Sequence, residues 1–146
     1  MPSRSACLAS AAFAAPSCGA NTGAAAVNPQ LYVQLVRDGA TGASETPFYS
    51  TFTGPAVYTN EHKYQKVEFK KIDENKVDIV KTSSDGYVAM VQHYFTSAWL
   101  LADGTARDNF VRKVDNNLYA VGSITTLPAV APGQSQKVDA RLFVGP

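Results

Sequence analysis

The residues with chemistry to offer are few: His62, His93, Cys7, Cys18 and a scatter of acids. His62 stands between Glu61 and Lys63 in a polar turn, where a solvated imidazole is the expectation. His93 lies in the apolar run GYVAMVQHYFTSAW (Gly86 to Trp99), so a core histidine with a satisfied ring outweighs a catalytic one. Neither has the HxxxH or HxH spacing of a metal pair. Cys7 and Cys18 lack CxxC spacing and a nearby His, which makes a weak metal signal. A disulfide between them in an oxidising compartment and two unpaired thiols in a poorly ordered tail are the two readings, and the second is favoured. Asp73, Glu74, Asp78 and Asp85 cluster around turns, where carboxylates are solvated, and nothing marks two of them as an acid–base pair. No serine sits in a GxSxG elbow and no GxGxxG or GxxxxGK phosphate cradle occurs. No catalytic, cofactor-binding or metal-ligating residue is assigned, no binding residue is identified, and the expectation is a protein that is not an enzyme and carries no cofactor.

Aromatics are the remaining handle. Tyr87, Tyr94, Phe95, Trp99 and Tyr119 have the chemistry to line a sugar- or peptide-binding groove, but filling a core is the stronger reading, since aromatics carry much of a core's buried area. Trp99, at the end of its run, is the one expected to be partly exposed.

Charge narrows the partners. Thirteen Lys and Arg against 12 Asp and Glu leave +1. That is no footprint for nucleic acid, which wants a strongly basic face, and no polybasic membrane anchor. No stretch approaches the ~20 apolar residues of a spanning helix. At 146 residues with 45% hydrophobic content, one domain with a substantial core is expected.

The elements that must position these residues read as strands and turns. Leu31 to Val36 alternates and ends at Asp38-Gly39. Phe48 to Thr53 and Ala56 to Thr59 are short β-branched and aromatic runs divided by Gly54-Pro55. Tyr64 to Lys70 alternates, with Val67 and Phe69 on one side and Lys66, Glu68 and Lys70 on the other. Lys76 to Lys81 is a further strand, and Ser83 to Gly86 a turn. Tyr87 to Phe95 is apolar on both sides and is expected as one strand covered on both faces. Asp103-Gly104 turns the chain. Asn109 to Val114 and Leu118 to Ile124 flank Asp115-Asn116-Asn117, a hairpin signal because Asn and Asp tolerate positive φ. Pro132-Gly133 suits a type II turn, and Lys137 to Val144 closes the chain. Around nine strands with no long helix predict an all-β fold, an antiparallel β-sandwich.

Residues 1–27 differ from the rest. They are dominated by Ala and Ser, with Arg4 as the one charge. A crude signal peptide with small residues near Ala14 to Ser17 competes with a mis-started or frame-shifted beginning, and the second is favoured. Either way the tract is expected to be mobile and outside the fold, which leaves 28–146 as the domain.

Five blocks, in unbroken order, resemble a known family: FYSTFTGPAVYT (Phe48 to Thr59), KYQKVEFKKI (Lys63 to Ile72), GYVAMVQHYFTSAW, DNNLYAVGSI (Asp115 to Ile124) and VAPGQSQKVDARLFVGP (Val130 to Pro146). The chain from about Asn21 to Pro146 is similar to the later part of the large periplasmic domain of bacterial YidC membrane protein insertases, whereas Met1 to Cys18 departs from the pattern. The resemblance implies a partial β-supersandwich of the kind shared with sugar mutarotases. It implies a place at the periplasmic face of the bacterial inner membrane, within a multi-pass protein that assists insertion and folding of inner-membrane proteins. It implies Sec translocon components and nascent membrane proteins as partners, with the domain acting as scaffold or partner-binding module. The earlier strands, the membrane helices and the helix arginine of the intramembrane groove have no counterpart, so no functional residue is carried over. A fragment of that kind is expected to leave strand edges uncovered. The alternative is a small secreted carbohydrate-binding or mutarotase-like β-sandwich, with His93 and Asp85 in a groove.

Overall fold

The structure, a computed structural model, describes residues 12–40 and 51–146, with 12–18 described by their backbone. The strands are β1 (Ala12–Ala20), β2 (Gln30–Asp38), β3 (Gly54–Thr59), β4 (Lys63–Lys66), β5 (Thr82–Ser83), β6 (Tyr87–Val91), β7 (Thr96–Leu101), β8 (Arg107–Asp115), β9 (Leu118–Thr126) and β10 (Ser135–Gly145), with one short helix, α1 (Phe69–Asp73). Among the described residues they form two antiparallel sheets, β1-β10-β7-β6-β3-β4 and β2-β9-β8-β5. The all-β sandwich is thus observed.

Period-2 alternation builds the layer between the sheets. Val57, Val88 and Met90 of the six-stranded sheet meet Val121 of the four-stranded sheet, with Leu35, Val111 and Trp99 packed against them. Val33 meets Leu101 and Ala140 further along. Burying such side chains is worth about 1.5–3 kcal/mol each, and this layer supplies the apolar drive for the two sheets to stack.

Turn chemistry fixes the registers where the sequence carries it. Asn117 adopts φ 55° between β8 and β9. Gly133 sits at φ 75°, and the Gln134 N–H donates to the Ala131 carbonyl at 3.0 Å. Gly104 has φ 86° in the turn after β7.

Five expectations are corrected. The run Tyr87 to Phe95 is not one strand: β6 ends at Val91, residues 92–95 turn, and β7 begins at Thr96. Val88, Ala89 and Met90 are buried in succession, as a strand covered on both faces requires. Beyond them the Gln92 N–H donates to the Phe95 carbonyl at 2.8 Å and closes a hairpin that has no Gly, Asn or Asp to announce it. Tyr64 to Lys70 is not one strand either. The Val67 N–H makes a last bond to the Pro55 carbonyl at 2.9 Å, and α1 then starts after Glu68. Phe69 and Ile72, three apart, suit a helical turn as well as Val67 and Phe69 suit a strand. Lys76 to Lys81 pairs with no strand; the two-residue β5 follows it. Gly54-Pro55 does not divide two strands but opens β3, where glycine is required both by the φ of 152° and by the Val67 carbonyl on which a side chain would press. Residues 48–50 of the run before it lie outside the described residues, and 51–53 are not strand.

The fifth correction concerns the amino-terminal tract. Ala12–Ala20 pairs with β10 from Ala12↔Phe143 to Ala20↔Ser135. Asn21 is buried, its side-chain amide donating to the Ala25 and Val130 carbonyls at 2.8 Å each. Val27 bridges Val130. Residues 12–27 are therefore joined to the sandwich by backbone bonds, which composition alone cannot foresee. Cys7 lies outside the described residues, as does the Cys18 side chain.

Candidate functional site

The residues singled out by chemistry do not converge. His62 is exposed in the turn between β3 and β4, 3.8 Å from Glu61, with its N–H donating to Thr59 Oγ1. His93 is exposed at the tip of the β6–β7 hairpin rather than on a core face, because the chain turns there. Asp85 stands at the other end of β6, where its carboxylate accepts the Asn60 N–H at 3.0 Å. The full length of β6 separates Asp85 from His93, so they share no groove. Glu74 pairs with Lys76 at 2.9 Å, and Asp78 is exposed. No cluster of three His, Cys, Asp or Glu suited to a metal occurs among the described residues.

Asp73 is the acid with a built environment. From the end of α1 it accepts Lys113 Nζ at 2.8 Å and the Tyr119 hydroxyl at 2.9 Å. The Lys113 hydrogen bond, then that from Tyr119, holds the Asp73 carboxyl below its ordinary range. The same bond raises the Lys113 ammonium. Bonding to Asp73 raises the Tyr119 phenol. With the Phe69 ring 4.7 Å from that of Tyr119, the arrangement fastens α1 over the end of the four-stranded sheet. Its chemistry is that of a clamp: each group is held in its ordinary charge state.

Arg107 carried no signal in the sequence, yet it is 3% exposed. Its guanidinium donates to the carbonyls of Ala102 (2.7 Å), Gly86 (3.2 Å), Ser84 (3.2 Å) and Thr105 (3.4 Å). Burial lowers its pKa, opposed by Asp103 and Asp85 nearby. It ties the turn before β6 to the turn after β7. Beside it a shallow polar cleft of about 220 Å³ is lined by Tyr58, Asn60, Tyr87, Asp103 and Arg141. The stacked pair Tyr58–Tyr87, 5.1 Å apart, forms one wall, and burial raises the Tyr87 phenol. A second, apolar cleft of about 290 Å³ opens between β1 and β2, lined by Leu31, Leu127, Val130 and Val138.

The aromatics divide. Tyr119 is buried and Tyr87 stacked, as a core reading expects. Trp99 is half-buried between the sheets, its indole N–H donating to the Gln34 carbonyl at 3.1 Å. Tyr94 and Phe95 are 73% and 56% exposed at the hairpin tip, against the core reading. On the outer face of the four-stranded sheet Tyr32 stacks on Phe110 at 5.4 Å, and Arg112 donates to the Tyr32 hydroxyl at 2.6 Å. Sequence reasoning missed this second platform; the alternation of β2, which puts Tyr32 opposite Leu31 and Val33, was the available signal. Both features leave aromatic side chains exposed to solvent.

The family model described as the YidC periplasmic domain matches residues 13–146. The chain is 52% identical over 126 residues to the membrane protein insertase YidC of Janthinobacterium sp. (strain Marseille), covering 86% of this chain and 22% of that protein. It is likewise 52% identical over 127 residues to the proteins of that name from Burkholderia mallei (strain SAVP1) and Burkholderia pseudomallei (strain 668), with the same 86% and 22% coverage. The chain thus spans about a fifth of the length of the curated relatives it matches.

Proposed function

This chain belongs to the YidC periplasmic domain family, and on that premise we propose that it is a scaffold and partner-binding module on the periplasmic side of the inner membrane. In this reading it assists the insertion and folding of membrane proteins without performing the transfer into lipid. Its partners are nascent membrane proteins and components of the Sec translocon. The observation that carries the reading is the family match, which runs through both sheets from residue 13 to residue 146. The geometry supports it in two ways. Asp73, Glu74 and Asp85 are engaged in the α1 clamp, a surface pair and a turn, and the aromatic side chains exposed at the β6–β7 tip and on the four-stranded sheet are suited to contact. No helix among the described residues is long and apolar enough to cross a membrane, so work inside the lipid falls to other polypeptide.

The test is made in the full-length Janthinobacterium relative. Deleting the segment matched by this chain is expected to leave insertion of a single-span client into proteoliposomes within about twofold of the intact protein, while co-purification of translocon components with the protein is reduced. Loss of client insertion by the deletion variant, with the protein still folded and reconstituted, would overturn the proposal.

A further inference from the structure

We propose that the tip of the β6–β7 hairpin, His93-Tyr94-Phe95, is a contact point for the bilayer–water interface. Tyr94 and Phe95 are the two most exposed large hydrophobic residues described, at 73% and 56%. They project from the middle of the six-stranded sheet, between β6, whose Val88, Ala89 and Met90 are buried, and β7, whose Ala98 and Leu101 are buried. The tip is therefore held by the core rather than carried on a loose loop. Arg37 braces its base across the sandwich, donating to the Val91 carbonyl at 3.3 Å. The His93 ring stands edge-on to Tyr94 with centroids 4.2 Å apart, so these two side chains form one projection next to the exposed Phe95.

The chemistry matches a headgroup boundary. Tyr and His offer an apolar body with a polar tip, and Phe an apolar body alone; aromatic side chains of this kind gather at membrane–water interfaces. From Val91 to Ala98 the sequence has no acid to repel an anionic lipid surface. Size argues against a protein occupant. Aromatic side chains bury about 150–250 Å² each, so this tip falls short of the roughly 800 Å² per partner of a stable protein–protein interface. A lipid surface sets no such threshold: burying two aromatic side chains in the headgroup boundary suffices for weak binding at millimolar lipid. The register adds direction: Gly145 pairs with Thr96, so β10 ends beside the tip on the same edge.

The inference rests on the membrane-side reading above, and its test is independent of it. The purified 146-residue chain is floated with millimolar phosphatidylcholine–phosphatidylglycerol vesicles. The chain is expected to float, the Tyr94→Ser/Phe95→Ser variant to lose about tenfold in bound fraction, and His62→Ser, in the exposed turn between β3 and β4, to bind as before. A Phe95→Trp variant is expected to be quenched by brominated acyl chains. No flotation, equal flotation of the double variant, or tip variants that dissolve a self-associated species while vesicle binding is unchanged would each overturn the lipid contact. Because the vesicles contain no client and no translocon, such a failure leaves the partner-binding reading standing, and the deletion experiment decides that reading alone.

Discussion

Arg107 shows how one side chain joins elements that are distant in sequence. Its four carbonyl partners belong to residues 84, 86, 102 and 105, and the Gly104 N–H donates to the same Ser84 carbonyl at 2.8 Å. Removing the guanidinium takes a donor from all four carbonyls and leaves only that of Ser84 with another, a loss that sums to about 3 kcal/mol. Arg107→Met is therefore expected to lower unfolding free energy by about that amount in urea titration. A change below ~1 kcal/mol would mean that water replaces the arginine. Gly122 is a second residue of this kind. A side chain there would meet the Phe110 ring and the Val33 carbonyl. The ring can swing aside, but the carbonyl is fixed in the β2–β9 ladder, where Gln34 faces Gly122. Gly122→Val should cost about 2 kcal/mol and shift near-ultraviolet circular dichroism as Tyr32 and Phe110 part. An unchanged spectrum and midpoint would show that the sheet relaxes.

At the scale of elements, the α1 clamp makes stability depend on pH at both ends. The Asp73 pKa is lowered from its ordinary 3.8. Its contribution is present above the unfolded value and is lost as pH falls through the lower folded value. The Lys113 pKa is raised from 10.5, so its contribution is present below that value and is lost as pH rises through the raised one. Asp73→Asn is expected to flatten the acid limb of stability below pH ~4 and leave the neutral plateau slightly lower; an acid limb like that of the parent chain would contradict the clamp. Elements were legible where their chemistry is local. The Asn117 hairpin, the Pro132-Gly133 turn and the closing strand follow from turn residues and alternation. The β6–β7 hairpin was hidden because Gln92-His93-Tyr94-Phe95 contains no turn former and continues the apolar run on both sides. The stretch Lys76 to Lys81 alternates, with Val77 and Ile79 half-buried, yet it pairs with no strand, and alternation alone does not say whether a partner exists. Arg107 was invisible because four backbone carbonyls brought together by two turns leave no mark on the sequence around it.

For the molecule as a whole, the two sheets end differently on their two sides. β4 is short and carries Lys63 and Lys66, and β5 has two residues, both features that blunt an edge. β1 and β2, nine residues each, are edge strands among the described residues, and the apolar cleft lies between them. Long edges beside an apolar opening favour pairing with another chain. Sedimentation velocity of the purified chain should therefore show concentration-dependent self-association at tens of micromolar, and a single monomer species with cooperative unfolding over that range would contradict it. The exposed hairpin tip, aromatic platform and open edges are the surfaces on which the proposed contact role depends.

That claim is met most directly by photo-cross-linking in living cells, with the probe placed at positions equivalent to Tyr32, Tyr94 and His62 in the full-length Janthinobacterium relative. Adducts with translocon components or nascent membrane proteins at Tyr32 or Tyr94, and none at the His62 turn, are the predicted result. Adducts at none of the three positions, while a probe elsewhere in the same protein captures its client, would contradict it.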